Sequence, residues 1–222
     1  MVDQHHVSVL LSSIENVDLS LSAFSLHNVA ELGSGTMVEK HINSVEFVDD
    51  VVSHTIKHPG FTCMLFRRSI IDANHLRFTI GCYRNEDYEF YVKYLTYCTN
   101  DICFVDYIGY YYRQNESSAM HQINYKSLTS IDACQRLVSH LKKVGLYKSG
   151  YTIVESAILK FIFESARTHN KEMYDYLHSM YDVPTSMKRM VKDVRMKVRI
   201  VSLSYSILKR TLFYRIVGLV CN

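Results

Sequence analysis

The scarcity of glycine and proline is the feature of this sequence that most restricts its fold. The 222-residue chain has 8 glycines and 2 prolines, whereas average usage would give about 12% for the two residues together. Tight turns depend on these residues, so a barrel or sandwich of many short strands is disfavoured. The sequence instead predicts long helices with few connections, and it excludes collagen-like, proline-rich and glycine/serine linker material.

The hydrophobic pattern divides the chain into a first half of mixed strands and helices and a second half of helices. The first half predicts strands over 18–26, 61–66 and 101–112, and helices over 7–15, 45–57 and after Asn85. The second half predicts helices over 124–144, 151–168, 170–181 and 186–217, with breaks near Gly145, Gly150 and Pro184. These elements predict an α/β fold in three segments: 1–122, 123–185 and 186–222.

The positive charge of the chain is concentrated at its C-terminal end. The whole chain has a formal net charge of +3, but residues 188–222 contain nine lysines and arginines and a single acid, Asp193. That segment therefore carries 9 − 1 = +8, which leaves 3 − 8 = −5 for residues 1–187. A basic segment joined to a mildly acidic body indicates an anionic partner, either a lipid surface or a nucleic acid.

Apolar residues recur within the basic segment at a spacing that favours the lipid surface. Valines follow one another every three to four residues from Val191 to Val201, and Tyr205, Leu208, Leu212 and Ile216 continue the stripe. Such a helix can lie in a membrane interface, or it can pack against the protein and leave a solvated basic side. A nucleic-acid-binding role is disfavoured because aromatic and basic residues do not interleave on a predicted sheet.

The cysteines indicate free thiols in a reducing compartment. The six cysteines lie at positions 63, 82, 98, 103, 134 and 221, and no two have the C-x-x-C spacing of zinc or redox motifs. A chain of this length can bury a core without disulfide bonds, so the cysteines are predicted to be buried and unpaired.

Two adjacent carboxylates, Glu86 and Asp87, open the predicted helix that follows Asn85. Carboxylates in a first helical turn offset the positive end of the helix dipole, which is a purely structural role. A carboxylate at a helix N-terminus that faces a cleft can also take a proton from a hydroxyl nucleophile, as a general base. The local pattern leaves both interpretations open.

A second candidate lies where the tyrosine-rich strand over 101–112 ends. Arg113 and a polar loop follow this strand directly. The arginine can be an edge residue of a half-buried strand. In a functional interpretation the loop closes on an anionic ligand, and the guanidinium fork of Arg113 binds a phosphate group.

Four short motifs follow one another between residues 61 and 118: Phe61–Arg68, Arg77-Phe78, Asn85–Asp87, and Tyr110–Arg113 with Ser117-Ser118. Their order and approximate spacing resemble the acceptor half of the family 2 inverting glycosyltransferases of the GT-A fold, bacterial enzymes that build capsule, exopolysaccharide and lipopolysaccharide. The resemblance implies a partial GT-A (Rossmann-like) sheet, then a helical C-terminal half and a basic amphipathic terminal helix.

The resemblance also implies an activity and roles for particular residues. The chain would transfer a sugar from a nucleotide-sugar donor to a glycan or lipid-linked acceptor, at the inner face of the cell membrane. Asp87 would be the catalytic base that deprotonates the acceptor hydroxyl, and Glu86 beside it would help to bind the acceptor. Arg113 and His121 would lie near the donor diphosphate.

The first residues fall where the family has its Asp-x-Asp metal motif. Asp3 and His5 would then form a degenerate site for Mg²⁺ or Mn²⁺, of which Mn²⁺ accepts a histidine ligand more readily. The nucleotide-binding half that precedes this motif in the family has no counterpart in the pattern, so we expect an acceptor-side portion of such an enzyme. The alternative is a catalytically inactive remnant, or an interaction module bound peripherally to a membrane.

Overall fold

The computed structural model describes residues 1–56, 60–113, 123–193 and 195–220. The fold is mixed α/β, as the sequence predicts. The chain divides into two units, which are described separately. The first unit comprises Met1–Val51, Ile56–Thr79 and Asp87–Ser118, and the second comprises Val52–Thr55, Ile80–Glu86 and Ala119–Asn222.

A mixed sheet is the core element of the first unit. Within the described residues it has four strands, β1 (Leu19–Ser25), β2 (Glu39–Ile42), β3 (Met64–Phe66) and β4 (Ile102–Tyr111), in the order β2-β4-β1-β3. The two long strands β1 and β4 are parallel, and the short outer strands β2 and β3 are antiparallel to their neighbours. Short edge strands expose little unpaired backbone, which limits edge-to-edge association.

Four helices accompany this sheet along the chain: α1 (His6–Ser13), α2 (Ser44–Val52), α3 (Arg68–Ala73) and α4 (Glu86–Leu95). Val9 of α1 packs into a buried cluster with Val17, Cys103, Val105 and Tyr107, so α1 covers one face of β4. The apolar face predicted after Asn85 is buried in α4, but so are residues outside that face, because seven of the ten α4 residues are buried.

A buried polar cluster fixes the start of β1. The Asp18 carboxylate accepts hydrogen bonds from the backbone N–H groups of Thr99 (2.7 Å) and Asn100 (2.8 Å) and from the Asn100 side chain (3.1 Å). The Arg67 guanidinium lies 3.8 Å from the same carboxylate. The Tyr94 hydroxyl donates to the Asp18 carbonyl at 2.5 Å and accepts from the Arg67 N–H at 2.9 Å. The cluster therefore links β1, β4 and α4 through a buried carboxylate, the partly exposed Arg67 and the loop before β4.

The differences from the predicted elements have local causes. The predicted strand over 61–66 begins with a 3₁₀ turn (Phe61–Cys63), so only Met64–Phe66 pairs as a strand. Strand β2 was not predicted because its residues, Glu39–Ile42, are mainly exposed and polar and lack apolar alternation. Helix α3 was not predicted because none of its residues is buried, and the periodicity that signals a helix comes from a buried face.

The second unit is a group of helices around α6. Its helices are α5 (Thr129–Lys143), α6 (Ile153–Arg167), α7 (Lys171–Met180), α8 (Val183–Met190) and α9 (Met196–Val220). Helix α6 contacts each of the other four, and Phe161, Ile162 and Ala166 on it are at most 1% exposed. A helix that packs on several sides must be apolar around much of its circumference, and nine of the fifteen α6 residues are buried.

The predicted helix over 186–217 is divided in the structure at Asp193. The Asp193 carboxylate accepts two hydrogen bonds from the Arg195 guanidinium (2.8 Å each) and one from the Thr152 hydroxyl (2.9 Å). Arg195 also donates to the Ser156 hydroxyl at 2.7 Å. These bonds tie the α8–α9 connection to the start of α6, and a bidentate carboxylate–guanidinium pair fixes its geometry.

Burial alone would raise the pKa of the Asp193 carboxyl, but the hydrogen bonds and charge of Arg195 outweigh it and lower that pKa. Asp193 is therefore ionised near neutral pH, and the connection depends on its negative charge.

Candidate functional site

The predicted pair of acids begins α4. The Asp87 carboxylate accepts a hydrogen bond from the backbone N–H of Tyr88 at 2.7 Å, which is the structural role expected in a first helical turn. The carboxylate oxygen Oε2 of Glu86 is buried and has no hydrogen-bond partner among the described residues. Asn85, directly before the helix, has a left-handed φ of 60°, and its amide donates to the Cys134 sulfur at 3.5 Å.

The four buried acids of the described chain each bind a cation, whereas Glu86 and Asp87 are half-buried and bind none there. Asp18 lies beside Arg67, Glu89 binds Lys93, Glu155 binds Arg189 and Asp193 binds Arg195. Within the same residues, no lysine, arginine or histidine nitrogen lies within 4.0 Å of the Glu86 or Asp87 carboxylate. A carboxylate with no bound cation is available to accept a proton or a ligand hydroxyl, whereas a paired one is committed to the fold.

Aromatic residues from two of the sequence motifs meet on α4. Phe61 and Phe66 contact Phe90 edge-on, with ring centroids 6.1 and 5.7 Å away. Phe78 stacks on the same ring at 4.5 Å with an interplanar angle of 14°. The motifs at 61–68 and 77–78 are therefore packed against the helix that Glu86 and Asp87 begin, and the cluster fixes the position of its first turns.

A protonated phenol lies close to Asp87. Burial raises the pKa of Tyr91 well above its usual value, and the charges of Tyr88 and Asp87 raise it further. Tyr91 therefore remains neutral over the physiological range, and the Asp87 carboxylate has a low-dielectric, uncharged neighbour.

The predicted diphosphate residues are only partly described. Arg113 is exposed and lies two residues beyond the end of β4. The N–H of Tyr112 beside it donates to the Ser25 carbonyl at 2.9 Å, so Arg113 extends from the point where the parallel strands β1 and β4 end together. His121, Ser117 and Ser118 lie outside the described residues, and their predicted roles stay predictions.

Asp3 and His5, the predicted metal ligands, are engaged by protein groups. The Asp3 carboxylate accepts hydrogen bonds from the Tyr107 hydroxyl and from the backbone N–H of His5 (2.8 Å), and these two bonds lower the pKa of Asp3. The His5 ring nitrogen Nε2 lies 3.2 Å from the side-chain nitrogen of Gln4. In the described part of the chain, no third histidine, cysteine or carboxylate joins them to complete a metal-ligand group.

The exposed surface of α9 differs from the stripe that the sequence predicts. Tyr205 of that stripe is buried, and its hydroxyl lies 2.7 Å from the ring nitrogen Nε2 of His178. Leu212 of the predicted stripe is exposed (48%), and α9 also exposes Leu219 (78%) and four residues outside the stripe: Met196 (64%), Ile200 (57%), Leu203 (49%) and Ile207 (68%). The spacing of four, three and four places these last four residues in one row on the solvent side of the helix. We refer to Met196, Ile200, Leu203 and Ile207 as the apolar row.

Part of the positive charge of the basic segment is neutralised within the protein. Arg189 binds Glu155, Arg195 binds Asp193, and Arg210 binds Asp175 at 2.5 Å. Of the nine basic residues, 9 − 3 = 6 have no carboxylate partner among the described residues: Lys188, Lys192, Lys197, Arg199, Lys209 and Arg215. All six are exposed. Among the described helices, none is long and apolar enough to cross a membrane.

Glu39 and His41 of β2 form one further group with Cys103 of β4. The sequence pattern does not indicate this group. One ligand atom from each lies within 4.8 Å of the others. Cys103 follows Glu39 and His41 by 62 positions or more in the sequence. Strand β2 is exposed and polar, so its sequence has no pattern from which this pairing could be predicted. Burial raises the pKa of the Cys103 thiol to about 11, and the Glu39 charge contributes to the shift.

The functional assignment of the chain rests on the residues described above. No family model matches the chain. No curated protein matches it either.

Proposed function

We propose that this chain acts as a family 2 inverting glycosyltransferase with a partial GT-A sheet, and that Asp87 is its catalytic base. The observation that carries the proposal is the state of the two acids at the start of α4. Asp87 and Glu86 are half-buried and bind no cation among the described residues, and the buried Glu86 oxygen Oε2 has no hydrogen-bond partner there. The convergence of the motif aromatics on Phe90 supports the same assignment.

In the proposed reaction, an acceptor hydroxyl gives its proton to the Asp87 carboxylate as its oxygen attacks the anomeric carbon of the donor. The bond from that carbon to the nucleoside diphosphate breaks in the same step, so the configuration inverts and the diphosphate leaves with the electron pair. Glu86 accepts hydrogen bonds from other acceptor hydroxyls. The Arg113 guanidinium stabilises the charge that develops on the leaving diphosphate.

The divalent cation that the resemblance implies stays a prediction. Asp3 uses one carboxylate oxygen for Tyr107 and the N–H of His5, and one carboxylate with one imidazole is a smaller ligand set than Mg²⁺ or Mn²⁺ ordinarily takes. We therefore assign no step of the reaction to a metal.

Titration calorimetry with nucleotide-sugars distinguishes the transferase from the inactive alternative. The proposal expects saturable heat with one donor class, with and without Mn²⁺. An absence of binding to uridine and guanosine diphosphate sugars, by a protein whose circular dichroism shows it folded, would favour a catalytically inactive interaction module.

We propose in addition that α9 binds an anionic membrane surface. The apolar row is exposed on the first part of α9, before the kink at Lys209, and Lys197 and Arg199 on the same part are also exposed and have no carboxylate partner among the described residues. An apolar row flanked by free cations suits the boundary between acyl chains and anionic headgroups. A protein partner of acidic surface would satisfy the cations but would not require the apolar side chains.

Substitutions in α9 should weaken vesicle binding in proportion to the groups removed. The double variant Lys197→Gln, Arg199→Gln should bind phosphatidylglycerol vesicles about 10–30-fold more weakly, since each basic residue near such a surface contributes about 1 kcal/mol. Ile200→Ser with Ile207→Ser should weaken binding by at least about tenfold, because two partly inserted side chains are lost. Vesicle co-sedimentation measures both effects.

The controls for this experiment lie elsewhere on the second unit. Met180→Ser removes an apolar side chain that is 57% exposed on α7, and Lys143→Gln removes an exposed cation at the end of α5. Both should bind vesicles as the wild type does. Equal binding to phosphatidylglycerol and phosphatidylcholine vesicles, or unchanged binding by the α9 variants, would contradict the membrane role.

A further inference from the structure

We infer that Glu39, His41 and Cys103 form a zinc site at the β2 edge of the sheet, with three protein ligands and one open coordination position. This inference is independent of the proposed transferase. It rests on a juxtaposition of three different ligand types, one carboxylate, one imidazole and one thiol, whose ligand atoms lie within 4.8 Å of one another.

The register of the sheet brings the three side chains to one face. His41 lies opposite Cys103 and Glu39 lies opposite Val105 in the antiparallel β2–β4 pair. Residues two apart on a strand share a face, so Glu39 and His41 project together. Cys103 belongs to the buried cluster that includes Val9 of α1, so the shared face is the one that α1 covers.

The exposure of the ligands suits a site that is fixed on one side and open on the other. The Cys103 residue is fully buried and is held by β4 at the centre of the sheet. The side chains of Glu39 and His41 are 42% and 48% exposed, and the His41 nitrogen Nε2 lies 3.7 Å from a Glu39 oxygen. Tetrahedral zinc with bonds of about 2.0–2.3 Å holds its ligand atoms about 3.3–3.6 Å apart. The two exposed side chains can reach this spacing by small rotations, whereas the buried sulfur need not move.

The ligand set selects the metal. A thiolate is a poor ligand for Mg²⁺ and Ca²⁺, and sulfur with imidazole and carboxylate in tetrahedral geometry is typical of Zn²⁺. Three protein ligands leave a fourth position for water, as in zinc sites that polarise a ligand, while fully structural sites have four protein ligands. The thiol loses its proton when the metal binds, so the site would take up Zn²⁺ with release of a proton from Cys103.

Titration of the full chain with Co²⁺, followed by displacement with Zn²⁺, tests the site. We expect one equivalent of Co²⁺ to give a thiolate-to-cobalt charge-transfer band in the near ultraviolet and the visible bands of a tetrahedral ion. One equivalent of Zn²⁺ should remove both signals. The charge-transfer band separates this site from any binding by Asp3 and His5, which contain no sulfur.

The variants identify the ligands without relying on a single core substitution. His41→Ala and Glu39→Gln change exposed side chains and should each weaken Co²⁺ binding at least tenfold, and Cys103→Ser should abolish the charge-transfer band. Lys40→Ala is the matched control, because Lys40 lies between them on the same exposed strand but projects to the opposite face. No charge-transfer band in the wild type, a band that persists in Cys103→Ser, or wild-type affinity in the His41→Ala, Glu39→Gln double variant would overturn the inference.

Discussion

Asp87→Asn should lower the rate of sugar transfer by about 10²–10⁴-fold, the range that removal of a general base produces. The asparagine side chain keeps the size of the aspartate and can still accept the hydrogen bond from the Tyr88 N–H, but it cannot take the proton of the acceptor hydroxyl. The loss should therefore appear in the turnover number and leave donor binding unchanged. Initial rates of transfer at saturating donor, with calorimetric donor binding alongside, measure the two quantities.

Asp132→Asn is the matched control for this substitution. Asp132 is an exposed aspartate in the first turn of another helix, α5. Both variants lose the interaction of a carboxylate with a helix N-terminus, which contributes about 0.3–1 kcal/mol. Only Asp87→Asn should lose activity. Similar losses in both variants would mean that the Asp87 carboxylate acts through helix stability alone.

Asp18→Ala should destabilise the first unit by about 1–3 kcal/mol, the cost of removing the shared acceptor of several hydrogen bonds. The substitution removes the acceptor for the backbone N–H groups of Thr99 and Asn100 and the ionic partner of the nearby Arg67 guanidinium. Hydrogen exchange of β1 and β4 amides under native conditions reports this loss, since the second unit contributes nothing to those signals.

The Asp18 cluster also predicts an acid-sensitive first unit. Burial raises the pKa of Asp18, but hydrogen bonds from Asn100 and Thr99 and the charge of Arg67 outweigh it and lower the pKa below 3.8. A carboxyl whose pKa is lower in the folded state stabilises that state above its unfolded pKa. This contribution is lost as the pH falls through the folded pKa. The stability of β1 and β4 should therefore decrease below about pH 4.

Asp101→Ala separates this effect from general acid sensitivity. Asp101 is an exposed residue that directly follows Asn100. Its backbone carbonyl, and not its carboxylate, accepts a hydrogen bond from the backbone N–H of Asp18. The variant should keep the wild-type stability and the wild-type acid transition. An Asp18→Ala protein whose β1 amides exchange at the wild-type rate would show that the cluster does not hold the strand.

The elements that sequence could predict are those whose burial imposes a period. Alternation of leucine and serine predicted β1, and the aromatic spacing after Asn85 predicted α4, because each has a face that must leave water. Strand β2 shows no such pattern, because its residues are mainly exposed and its position is set by hydrogen bonds to β4. The zinc ligands were missed for the same reason, since their proximity follows from register and not from spacing along the chain.

The basic segment shows a different limit of sequence reasoning. Charge and apolar spacing indicate an amphipathic helix, but they do not show which apolar row faces the protein. Tyr205 is turned inward and bonded to His178, and the exposed row begins at Met196 instead. The sequence pattern also did not indicate the break at Asp193. The Asp193 carboxylate binds Thr152, which is 41 positions away, and Arg195, which is two positions away, and these contacts produce no hydrophobic period.

Sugar transfer by this chain is tested by the incorporation of labelled sugar from a nucleotide-sugar into membrane lipids or glycans, with Asp87→Asn and Asp132→Asn assayed in parallel. We expect incorporation by the wild type and by Asp132→Asn, and a rate at least about 10²-fold lower for Asp87→Asn. Equal rates for the wild type and Asp87→Asn would remove Asp87 from the role of base. No incorporation by the folded wild type with any donor would contradict the transferase itself.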